Sequence, residues 1–145
     1  MEVVDQGTCL VSNAEAMELI ADIKREAKEG RYMRPKEAHV MSCKVKDYFD
    51  STNAKNVTVD DVEALYKVLE HFTPLVGQEG LRKTEMLNMA NLRPTTLVEM
   101  FAIIDHAEVR FGDDKLEELL DICQTNLTAP PEPEAAEEGG EEEEG

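Results

Sequence analysis

The stretch from Leu81 to Leu127 constrains this chain most, because three short amphipathic helices are written into it, each with its own punctuation. The first starts near Lys83 and carries Met86, Leu87 and Ala90. It has to stop near Leu92, since Arg93 precedes Pro94 and a residue before proline is pushed out of the α region. Thr96-Leu97-Val98-Glu99 is a capping box, in which hydroxyl and carboxylate satisfy each other's backbone N–H. It opens a second helix whose stripe is Leu97, Met100, Phe101 and Ile104, and Phe111-Gly112 closes that helix. Asp113 or Asp114 caps the third, with Leu116, Leu119, Leu120 and Cys123 facing inward. Met89 falls off the first stripe and is an interface candidate.

Upstream the same grammar repeats. Ser12-Asn13-Ala14-Glu15 is another capping box, followed by Ala16, Met17, Ile20, Ile23 and Ala27 at helical spacing. Gly30 after a Lys/Glu-rich turn ends that helix, placing it at roughly 13–29. Pro35, suited to a first helical turn, opens a run through Ala38, Met41, Val45, Tyr48 and Phe49. A further helix begins near Thr58 or Asp60, with Val62, Leu65, Tyr66, Leu69 and Phe72 on one side, and Pro74 and Gly77 mark a loop. Met17, Met41, Met86 and Met100 all fall on these stripes, so core filler is their expected role. The chain reads as an all-α bundle of helices too short to stand alone, held by packing between their stripes.

The termini read differently. Glu2-Val3-Val4 is short, apolar and β-branched and has no partner strand elsewhere in the chain. Two readings stand: a loosely docked or disordered terminus, or a strand donated to another subunit's sheet. The last eighteen residues, Thr128 to Gly145, hold eight Glu, three Pro, three Gly and no aliphatic side chain larger than alanine. Such a segment cannot bury enough apolar surface to offset its ordering entropy, so a disordered acidic tail is expected. The body, residues 1–127, is long enough for one core.

Charge narrows the function. The formal net charge is −17; the eight tail glutamates leave −9 on the body. An acidic body repels phosphate backbones and anionic membranes, which disfavours direct nucleic-acid or membrane binding. No apolar run approaches the roughly 18–20 residues that span a bilayer. The N-terminus MEVVDQGTCL lacks the basic and apolar regions of a secretory signal. Cys9, Cys43 and Cys123 form neither a C-x-x-C pair nor an even-numbered framework, which suits a reducing compartment.

Chemistry finds little support. His39, His71 and His106 share no metal-ligand spacing, and solvated or capping roles are the default. Asp105-His106-Ala107-Glu108 is dense in polar groups, but adjacent helical residues point apart. There is no nucleophile elbow, glycine-rich phosphate loop or EF-hand. No catalytic residue, metal ligand or cofactor site is assigned, and a binding protein is expected rather than an enzyme.

Two parts of the chain resemble one family. Met1-Glu2-Val3 through Ser12-Asn13-Ala14-Glu15 is the first. The second, more specific part runs from Leu81-Arg82-Lys83-Thr84-Glu85 through Asn91-Leu92-Arg93-Pro94 to Glu108-Val109-Arg110-Phe111. Both resemble the helical subunits of the RNA polymerase stalk, found in polymerases II and III and in archaea. The Met-Glu-Val start is most similar to the polymerase III member. The resemblance implies an HRDC-like helical bundle over residues 77–127 and a partner-clamping segment with helices over 1–76, followed by the tail at 128–145. It further implies a nuclear, non-catalytic subunit that pairs with an OB-fold stalk subunit, attaches to the polymerase core and contacts initiation factors. Nucleic acid would be reached only through the partner. Val3, Val4, Leu10, Met17 and Ile20 are the partner-binding candidates. Alternatives are the polymerase II subunit of the same family and a free-standing acidic helical adaptor or chaperone-like protein.

Overall fold

The computed structural model describes residues 10–30 and 36–130. They form α1 (Asn13–Lys28), α2 (Lys36–Asp50), α3 (Val59–Leu69), α4 (Lys83–Leu92), α5 (Leu97–Ile103), α6 (Ala107–Arg110) and α7 (Gly112–Asn126), with no strand among the described residues. The molecule is an all-α bundle, as the periodicity predicts. Val3 and Val4, and with them the donated-strand reading, lie outside the described residues.

The helix starts follow local chemistry. At α1 the Ser12 N–H donates to Glu15 Oε2 at 2.7 Å and the Glu15 N–H donates to Ser12 Oγ at 3.2 Å. Thr96 and Glu99 repeat the exchange at α5, and Thr58 and Asp61 repeat it at α3. Each cap contributes about 0.5–2 kcal/mol. Pro94 ends α4 as expected, with Arg93 turned to the left-handed region at φ 46°.

The core gathers around α7, which packs against α3, α5 and α6, while α4 packs on α3 and α5. Leu65, Leu69, Met89, Met100, Ile104, Phe111, Leu116, Leu119 and Leu127 are fully buried there. The Phe72 and Phe111 rings lie 6.0 Å apart at its edge. α3 and α4, on either side of residues 76 and 77, share this one core.

Several expectations are corrected. The helix opened by Thr96 does not run to Phe111. It breaks after Ile103, His106 takes φ 51°, and the short α6 follows. Neither Asp113 nor Asp114 caps the last helix; α7 begins at Gly112, and both aspartates sit in its first turn, where the helix dipole favours them. Met89 is not an interface residue but among the most buried side chains, because α4 is covered over Glu85, Met86, Met89 and Ala90. Phe101 is 44% exposed, and Leu120 is only half-buried.

The largest departure concerns α1 and α2. α1 buries no residue and α2 buries only Ser42 among the described residues. α1 is pinned at its start, where the Asn13 N–H donates to Asn91 Oδ1 of α4 at 2.8 Å. It packs on α3 and α4, whereas α2 has at most marginal packing on any other helix. Met41 is therefore not core filler, and Met17 is only half-buried.

Candidate functional site

Two kinds of feature could carry function: buried polar groups and uncovered apolar ones. The polar groups are structural. Arg110 donates through Nη1 to Glu85 Oε1 at 2.6 Å and through Nη2 to Glu85 Oε2 at 3.0 Å, and both side chains are almost fully enclosed. The remaining Arg110 donors reach the carbonyls of Glu79, Gly80 and Asp105. Glu85 also accepts from the Arg82 N–H at 2.8 Å and from the Asp105 N–H at 3.3 Å. Burial alone would raise the Glu85 pKa, but the Arg110 hydrogen bonds and the two amides outweigh it and hold the carboxyl below its ordinary value. Every lone pair is occupied, so this pair clamps the loop before α4 to the α5–α6 junction and leaves nothing for a substrate.

Cys123 is equally unsuited to chemistry. Burial pushes its thiol up to about 12, only partly opposed by Arg93, so no thiolate forms near neutral pH. Arg93 itself is buried and donates through Nε to the Leu127 carbonyl at 3.1 Å, closing the C-terminal end of the core. The three histidines belong to separate elements: His39 beside Cys43 on α2, His71 on the Lys67 carbonyl after α3, His106 at the α5–α6 break. Among the described residues no group of three or more His, Cys, Asp or Glu could hold a metal ion. No helix among them is long and apolar enough to cross a membrane.

The apolar features are of another kind. A groove of about 740 Å³ opens between α3 and α4, floored by Leu69 and Met86 and walled by Tyr66, Phe72, Leu81 and Leu87. Leu10 lines one edge of it, and Lys83 and Glu70 stand at the rim. Burial in the groove raises the Tyr66 hydroxyl pKa, with the Glu15 charge adding to it. Beyond the groove, Leu10 and Leu19 before and on α1, and Met41 and Tyr48 on α2, are each between 59 and 63% exposed.

The described sequence-derived candidates, Leu10, Met17 and Ile20, do not converge on one pocket. Leu10 lines the large groove; Met17 lines a smaller cleft with Ala14, Phe49 and Val57, where the end of α2 returns beside the start of α1. Ile20 is half-buried on α1 and lines neither. The groove walls Tyr66, Phe72, Leu81 and Leu87 were not foreseen as binding residues. The stripes that carry Tyr66, Phe72 and Leu87 read as core, and only the packing shows which part of each stripe stays open.

A family model described as RNA polymerase Rpb4 matches residues 10–127, from the leucine at the edge of the groove to the last buried leucine of the bundle. That span takes in every helix described above, and the chain therefore belongs to the RNA polymerase Rpb4 family, the helical subunits of the polymerase stalk.

Proposed function

We propose that this protein is the non-catalytic helical stalk subunit of nuclear RNA polymerase III, paired with an OB-fold stalk subunit and supporting transcription initiation. One observation supports pairing above all: α1 and α2 bury almost nothing within the chain, yet both carry apolar stripes. Large side chains such as Leu19, Met41 and Tyr48 left open along two helices mark a surface that a partner covers. In this reading α1, α2, the segment through Val3 and Val4, and the groove edge at Leu10 form the partner side. The helices from α3 to α7 form the HRDC-like bundle. The acidic composition, with net charge −17, favours RNA contact through the OB-fold partner rather than through this chain.

The choice of polymerase III rests on the Met-Glu-Val start. Affinity purification of the chain from its own cells, with the co-purified subunits identified, tests the whole proposal. Polymerase III subunits and one OB-fold protein are expected at equal stoichiometry. Polymerase II subunits would move the assignment within the family, and recovery of histones without polymerase would overturn it.

A further inference from the structure

Of the side chains that line the groove between α3 and α4, only Tyr66, Glu70 and Lys83 carry polar groups. A small-molecule site needs several polar groups converging on the ligand to orient it. Here the two charges stand at the rim, and the floor is Leu69 and Met86. Such a lining suits an apolar piece of polypeptide.

The way the chain enters α1 indicates which piece. The Asn13 N–H donates to Asn91 Oδ1 of α4, and the Glu15 charge acts on Tyr66 of α3. The chain before α1 therefore sets out beside both helices that wall the groove. Ser12 is extended, at φ −73° and ψ 160°. Successive side chains of an extended chain point to opposite sides. The described residues follow that rule: Ser12 is buried and Leu10 lines the groove, whereas Val11 between them is 53% exposed and does not line it.

Nine residues precede Leu10. Extended, they reach about 30 Å, whereas the ten residues of α4 measure about 15 Å, so the segment is long enough to run the whole groove. Continuing the alternation puts Val4, Gln6 and Thr8 on the side of Leu10, and Val3 on the side of Val11. Charge agrees with this path. Glu2 and Asp5 flank the two valines, and Lys83 at the rim makes no ion pair among the described residues.

We propose that the groove between α3 and α4 is the seat of the chain's own residues 1–9, with Val4 inserted against its apolar floor and Val3 facing outward. Tethering at Leu10 supplies an effective concentration in the millimolar range, so a contact that would be weak between separate molecules holds the segment in place. The outward Val3 stays open to a partner. Because the occupant belongs to the chain itself, the contact forms in the free protein and does not depend on pairing.

The test uses the full chain without any partner, methyl-labelled for NMR, beside the variants Val4→Ser and Val3→Ser. In the native chain, Overhauser contacts should join the Val4 methyls to those of Leu81, Met86 or Leu87. Val4→Ser should abolish these contacts and shift the groove methyls, whereas Val3→Ser should leave the groove signals in place. Unchanged signals of Leu119 and Leu127 show that each variant keeps its fold. A native chain without Val4 contacts in the groove overturns the proposal, as does an equal response of the groove to the two substitutions. Two further results overturn it by naming another occupant. Groove shifts that grow with protein concentration, equally in the native chain and Val4→Ser, would place a second copy there. Groove methyls that shift only when an OB-fold stalk subunit is added would give the groove to that partner.

Discussion

At the scale of single residues, Glu85 and Arg110 form an almost fully enclosed ion pair. Removing one member leaves the other charged and enclosed, so Glu85→Gln should destabilise the bundle by about 3–5 kcal/mol in urea unfolding. Replacing both with leucine should not restore stability, because the carbonyls of Glu79, Gly80 and Asp105 lose their Arg110 donor. The pair also sets a pH dependence. The folded Glu85 pKa lies below its unfolded value of about 4.3, so its contribution is complete at neutral pH and is lost as pH falls through the folded value. Unfolding curves between about pH 6 and 2.5 should therefore fall more steeply for the native chain than for Glu85→Gln. Parallel curves would mean that the carboxyl is not held down by this contact. None of this was legible in the sequence. The pairing of Glu85 with Arg110 spans 25 residues and has no local signature.

At the scale of elements, local signals were faithful where the deciding force is local. The bounds of α4 follow from Pro94, and the starts of α1 and α5 follow from Ser12–Glu15 and Thr96–Glu99. The α5–α6 break escaped because no proline or glycine marks it; instead the Asp105 N–H and carbonyl are drawn out to Glu85 and Arg110. Stripes gave the apolar side of each helix but not what covers it, which is why Met41 and Tyr48 looked like core and are exposed. The same distinction ranks substitutions. Ile104→Ala and Leu119→Ala should each cost about 2–5 kcal/mol, since both side chains are fully buried. Leu120→Ala, one residue on but half-exposed, should cost clearly less, and Thr96→Ala about 0.5–2 kcal/mol by deleting the α5 cap. Equal losses for Leu119→Ala and Leu120→Ala in chemical denaturation would put the α7 face in the wrong register.

At the scale of the whole molecule, the fold divides into a bundle around one core and two helices that bury almost nothing within the chain. Substitutions on the open stripe should separate stability from assembly. Met41→Glu and Tyr48→Glu remove little packing from the free chain, so its melting temperature should hardly change, while pairing with the stalk partner should fail because the charges would be desolvated. Hydrogen exchange gives the complementary reading. In the free chain the amides of α1 and α2 should exchange much faster than those of α3 and α7, because few buried contacts resist their opening. A partner that binds only the folded form adds stability by mass action, about 4.1 kcal/mol at a thousandfold excess over Kd. That gain should appear first as slowed exchange in α1, α2 and around Leu10, with α7 changing least. Protection confined to the exposed side of α5, around Val98 and Phe101, would place the partner on the opposite part of the surface and detach α1 and α2 from pairing. Free-chain exchange as slow in α2 as in α7 would mean that α2 is held by something within the chain itself, and its open stripe would no longer argue for a partner.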